Sequence, residues 1–174
     1  GSADALKKVE VQGHYFNDGD SRYRLNPTGP QHAQIAALAG ITEYIDDLYN
    51  HHFQDSSYSR HERARKVFDL VSQHESELAN ILLTFLAKRA DVRLLGKEKA
   101  ESGGRSPTIS FKSRTMPSRT VAQELAKYQI GVGSGNFYAL RCIEARGIDS
   151  QDGVGRVSMV HYNTKEEVGK LVSK

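Results

Sequence analysis

Apolar positions along the chain recur first at helical steps. From Gln31 onward, Ile35, Leu38, Ile41 or Thr42, Ile45 and Leu48 fall three or four residues apart, which predicts a helix ending near His51 to Phe53. A second helix is predicted from Ser57 or Ser59 as its cap, with Glu62 in its first turn and a stripe of Val67, Leu70, Val71, Leu78, Ile81, Leu82, Phe85 and Leu86. Its last third is apolar on more than one face, so other structure or a partner must cover it. Beyond "RAD" the period shortens. Val92 to Leu95 reads as a strand, "GKEKAESGGRS" as a polar loop, and Thr108 to Phe111 as a strand with Ile109 and Phe111 on one face. "RTVAQELAKY" reads as a helix with Ser118 as N-cap and Val121, Leu125 and Tyr128 inward, and Ile130 to Val132 as a short extended stretch. Phe137 to Ala145 is expected to be helical and closed by a left-handed Gly147. Val154 to Tyr162 alternates as a strand, and Thr164 with Glu167 forms the capping box of a terminal helix whose buried edge is Val168, Leu171 and Val172. Upstream of all this, Ala3 to Val11 reads as a short helix or strand, and Gly13 to Pro30 has the turn chemistry of a loop. A small sheet with helices packed on one face follows from this order.

Composition narrows the class. At 174 residues and 38% hydrophobic, the chain can bury one ordinary core, and a charged fraction of 26% argues against disorder. The formal charge of +3 is spread over alternating signs, as in "RHERARKVFD", so there is no single-sign field for nucleic acid. One cysteine, Cys142, excludes an internal disulfide and fits a reducing compartment; a buried thiol is its expected state. No apolar run approaches the roughly 20 residues that span a bilayer, and the N-terminus lacks the order of a signal peptide. The expectation is a cytoplasmic protein with no membrane or nucleic-acid partner. Gly1-Ser2 reads as the remnant of a cleaved tag.

Three groups of residues carry candidate chemistry. The seven histidines include no pair at i and i+4 on one helix, so no metal site is expected. "GVGSG" suits either a phosphate cradle at a helix start or a plain turn, and it lacks the lysine and spacing of a nucleotide-binding loop. Arg156 sits inside the alternating "GRVSMVHY", on the face of Ser158, Val160 and Tyr162. A guanidinium fixed on a strand either binds a carboxylate through two parallel hydrogen bonds or forms a structural ion pair.

The stretch "GRVSMVHYNTKEEVGKLV" resembles the C-terminal signature of class V aminotransferases, particularly cysteine desulfurases and desulfurase-like proteins. "RSPTISF", "TVAQELAKYQIGVGSG" and "NFYAL" follow in the family's order; the match is good from Ser106 to Lys174 and looser from Asn26 to Tyr44. The resemblance implies an α+β fold: a small, mostly antiparallel sheet with helices on one face, preceded by two long helices. It divides the chain into an irregular connecting segment, 1–30, a helical segment, 31–90, and a C-terminal small domain, 91–174. It implies pyridoxal phosphate as cofactor, held as a Schiff base by a lysine of a large preceding domain, with none of the eleven lysines here at that position. The chain is therefore expected to be a fragment, inactive alone, of a homodimeric enzyme acting on an amino-acid substrate.

Carried over by position, the resemblance gives Arg156 the substrate carboxylate, with Asn136 and Tyr138 in the loop beside it. "NPTGPQ" resembles the segment that reaches from one subunit to the cofactor phosphate of the other, through the Thr28 hydroxyl or the Gly29 amide. The departure is in "GSGNFY", where Tyr138 stands in place of the family's sulfur-accepting cysteine. A phenol with pKa about 10 is no substitute for a thiolate, so the reaction stays open among transamination, desulfuration, lyase chemistry and racemisation. The alternative function is a non-catalytic dimerisation or partner-binding domain with Arg156 in an ion pair.

Overall fold

The structure is a computed structural model that describes residues 2–10, 24–26, 30–101 and 103–174. It divides into two compact units, 1–60 and 61–174.

The first unit holds α1 (Ala3–Lys7) and α2 (His32–His52). Ser2 caps α1 by accepting from the Ala5 N–H. The three- and four-residue spacing forms the expected helix in α2, but Ile35, Leu38 and Ile41 are each more than half exposed. Near the end of α2, Tyr49 is buried and donates its hydroxyl hydrogen to the Asp55 carbonyl at 2.6 Å, with Phe53 stacked on its ring. Most of the loop read over Gly13 to Pro30, including Thr28 and Gly29, lies outside the described residues.

The second unit holds all of α3 (Arg60–Ala87) except its first residue and continues through β1 (Val92–Leu95), β2 (Thr108–Ser113), α4 (Ser118–Ala126), β3 (Gly133–Gly135), α5 (Leu140–Ala145), β4 (Val154–Ser158) and α6 (Lys165–Val172). The fold is α+β. Its four strands form one open antiparallel sheet in the order β1-β2-β4-β3, so β4 is inserted between β2 and β3, which α4 connects. One face of the sheet presents Ile109, Phe111, Val157 and Met159 to Leu78, Leu82, Leu83 and Leu86 of α3 and Val168 of α6. This explains why the end of α3 is apolar on two sides: Leu82 and Leu83 are both buried among these residues. Burial of each such leucine contributes about 2 kcal/mol relative to exposure. A smaller cluster of Ile143, Ile148 and Val154, with Leu95 and Phe137 against it, anchors α5.

The succession of strands and helices along the chain from Val92 and the capping box at Thr164 match the sequence reading; several local details differ. Ser118 does not cap α4: Pro117 holds that position, and Ser118 is buried in the first turn, donating its hydroxyl hydrogen to the Gly153 carbonyl at 3.1 Å. Tyr128 is exposed because α4 stops at Ala126 and a positive φ at Gln129 redirects the chain. β4 ends at Ser158, since Asn163 folds the chain back through both its side-chain oxygen and its N–H to Val160. The extended stretch lies at Gly133–Gly135, three residues later than Ile130 to Val132. Gly147 does close α5 in the left-handed region, with φ +67.

Candidate functional site

The site is built where β3 and β4 meet. Arg156, half-buried on β4, stands opposite Ser110 on β2 and Gly133 on β3. Residues directly opposite in an antiparallel pair share a face. Both neighbours are small and uncharged, so neither masks the guanidinium. The space over Gly133 is filled by the ring of Phe137, whose Cζ would lie 3.0 Å from a Cβ at that glycine. The same ring sits beneath Arg156, with the guanidinium carbon 3.8 Å from its centroid.

Ion pairs among the described residues include Lys7 with Asp4, Arg60 with Asp46, Arg89 with Asp91, Lys112 with Asp152, Lys127 with Glu124 and Lys165 with Glu77. Arg156 belongs to none of them. Its contact is aromatic, which steadies a cation without neutralising it.

The loop after β3 is shaped by Asn136. Its side-chain oxygen accepts from the Tyr138 N–H at 3.1 Å, its amide nitrogen donates to the Ser150 carbonyl at 3.3 Å, and its own carbonyl accepts from the Ala139 N–H at 2.8 Å. These bonds hold Phe137 and Tyr138 at φ +51 and +60, a left-handed conformation that bulky residues rarely adopt. Each such residue costs about 1–3 kcal/mol and persists only where its surroundings enforce it. The expected helix from Phe137 therefore begins only at Leu140.

A polar node braces this loop from behind. The Asp152 carboxylate accepts from the Ser118 N–H at 2.7 Å and from the Lys112 ammonium. Burial pushes the Asp152 carboxyl up, but its bonds to Lys112 and Ser118 together outweigh that and hold it below the usual carboxylate range. Asp152 thereby fixes Gly153, which lies against Gly135 and the Asn136 N–H.

The residues singled out in the sequence thus fall differently. Arg156 faces a row of small, uncharged residues, and among the described residues no acidic side chain pairs with it. Asn136 is adjacent in the fold, but its amide is spent on shaping the loop. Tyr138 is fully exposed at the loop tip. Cys142, expected to be buried, is exposed on α5, because Ile143 is the residue of that helix turned to the core. Thr28 and Gly29 lie outside the described residues. Sequence reasoning does not reach Phe137; an aromatic residue two positions after Gly-Ser-Gly, where a bare strand leaves room for a ring, is the available signal. Among the described residues no group of three His, Cys, Asp or Glu side chains is placed to hold a metal ion, and no helix is long and apolar enough to cross a membrane.

The family model described as "Aminotransferase class-V" matches residues 6–171. The aminotransferase-like protein FGM3 of Gibberella zeae is 28% identical over 174 residues, which is 99% of this chain and 40% of that protein. The cysteine desulfurase-like protein ustD of Aspergillus flavus is 31% identical over 110 residues, 62% of this chain and 25% of that protein. Among solved structures, the cysteine desulfurase CsdA of Escherichia coli superposes with a TM-score of 0.61 at 20% identity, covering 95% of this chain and 36% of that one. The cysteine desulfurase of Thermococcus onnurineus NA1 gives 0.54 at 23% identity, covering 64% and 27%. At these identities the structures speak for the fold, and the chain spans less than half the length of each of these four relatives.

Proposed function

The chain belongs to the class V aminotransferase family, and on that premise we propose that it is the small domain of a pyridoxal-phosphate-dependent, desulfurase-like enzyme, where Arg156 grips the carboxylate of an amino-acid substrate. The observation that carries the reading is the half-buried Arg156 guanidinium, steadied by a ring and free of any acidic partner among the described residues. A guanidinium in that state offers a carboxylate two parallel donors. Holding the carboxylate sets the orientation of the α-carbon's bonds, which is a positioning contribution.

Tested against the cofactor, the described side chains fit the substrate end of such a site and not the cofactor's own attachment. Lys112, two residues along β2 from the Ser110 that faces Arg156, is held by Asp152 and Ser118. The attachment lysine is assigned to a further part of a longer parent, and the phosphate contact to Thr28 or Gly29. When bound, the cofactor supplies an electron sink for the substrate's α-carbon. Which of transamination, desulfuration, lyase chemistry or racemisation results is left to that further part. A homodimeric, cytoplasmic parent belongs to the same proposal.

The competing reading, a non-catalytic binding domain, expects Arg156 in an ion pair, and the aromatic contact favours the enzyme. The experiment is Arg156→Gln in the full-length parent. KM for the amino acid should rise about a hundredfold while the cofactor's visible absorbance stays unchanged. An unaltered KM overturns the reading.

A further inference from the structure

We propose that Phe137 is a positioning residue for Arg156: its ring holds the guanidinium in place before the carboxylate arrives. The inference rests on the reading of Arg156 as the carboxylate grip. Three separate features converge on this contact. Gly133, directly across from Arg156, lacks the side chain that would displace the ring, since a Cβ there would meet Phe137 at 3.0 and 3.1 Å. The Phe137 backbone is held left-handed, at φ +51, by the bonds of Asn136 on either side of it. The ring also packs against the cluster of Ile143, Ile148 and Val154, so it is not free to swing away.

The chemistry explains why a ring serves better than an acid. An arginine side chain has many rotamers, and each ligand that needs one of them bears the cost of selecting it. A carboxylate anchor would select the rotamer but occupy the donors, and the substrate would have to displace it. A phenyl face contacts the face of the guanidinium, while the N–H donors lie around its edge. Ring and substrate therefore use different parts of the same group, and Phe137 prepares Arg156 without competing for it.

The test uses the 174-residue chain, labelled with nitrogen-15, and L-alanine as the carboxylate probe. The Arg156 Nε–Hε signal should be displaced upfield by the ring, and Phe137→Leu should abolish that displacement and weaken L-alanine binding roughly three- to tenfold. Phe137→Tyr should restore both. Gly133→Ala, which crowds the ring without altering it, should reproduce the Phe137→Leu effect and serves if that variant does not fold. If Phe137→Leu or Gly133→Ala leaves the affinity unchanged while Arg156→Gln abolishes binding, the role of Phe137 is overturned and the grip stands. If Arg156→Gln binds L-alanine like the unsubstituted 174-residue chain, or that chain shows no response to it, the grip reading fails and this inference with it.

Discussion

Gly153 passes the backbone of Gly135 so closely that a Cβ on Gly153 would stand 2.1 Å from the Gly135 carbonyl carbon and 2.2 Å from its oxygen. The neighbour is backbone, so it has no rotamer by which to yield. Gly153 also lies at φ +63, where any other residue is strained. This crossing joins the start of β4 to the end of β3, one residue before the loop that carries Phe137.

Gly153→Ala is accordingly expected to cost at least about 2 kcal/mol of stability. Urea unfolding followed by circular dichroism measures it. A loss below about 0.5 kcal/mol, the range of an ordinary surface substitution, would show that the crossing is looser than described.

Asp152 gives the unit a defined sensitivity to acid. Its carboxyl sits below its ordinary value in the folded chain, so its contribution is complete above that ordinary value and disappears as pH falls through the folded one. The midpoint of urea unfolding should decline as the solution is acidified below the usual aspartate range. Asp152→Asn should lower stability by about 2 kcal/mol at neutral pH, because Lys112 and the Ser118 N–H lose a charged acceptor, and it should flatten the acid limb. An acid limb as steep in the variant as in the parent chain would assign the titration elsewhere.

Long-period features were legible in the sequence, and short-range geometry was not. The helices α2 and α3 and the pairing face of Ile109 and Phe111 follow from spacing alone, because a repeated apolar period has few solutions. Arg156 stood out because a charge within an alternating strand demands a partner. Its actual contact, Phe137, depends on two consecutive left-handed aromatic residues, which no propensity favours and which only the Asn136 bonds and the tight Gly153 crossing enforce. The same reasoning explains Ser118: its residue type suits a cap, but the acceptor that claims its hydroxyl is Gly153, 35 residues away in the chain. Cys142 is exposed, against the expectation for a lone cysteine, because Ile143 is the buried residue of the six-residue α5.

The capping box of α6 makes a separate acid-sensitive point. Thr164 accepts from the Glu167 N–H at 3.2 Å, and the Glu167 carboxylate accepts from the Thr164 N–H at 2.9 Å and from the Asn163 amide at 3.1 Å. The Thr164 N–H, and after it Asn163, hold the Glu167 carboxyl below its ordinary value. The stabilisation is therefore present above that ordinary value and is lost as pH falls through the folded one. Thr164→Ala should cost about 1 kcal/mol, and amide exchange should quicken in the first turn of α6 before it does in β2. Equal acceleration in both elements would mean that the cap is not a local one.

Tyr138 provides the sharpest test of how the loop is assigned. It is fully exposed at the tip, immediately after the ring that contacts Arg156, and it occupies the position where the resemblance expects a sulfur-accepting cysteine. On this chain, Tyr138→Cys should introduce a thiol that a maleimide labels freely, and the exposed Cys142 supplies an internal reference for the rate. In the cofactor-loaded parent supplied with L-cysteine, the introduced thiol should gain one sulfur atom as alanine is released, which mass spectrometry of the loop peptide detects. The unaltered parent should show no such gain. If the thiol is accessible to maleimide yet acquires no sulfur while the parent turns over another amino acid, the loop does not approach the substrate, and the placement of Tyr138 at the sulfur-accepting position must be abandoned.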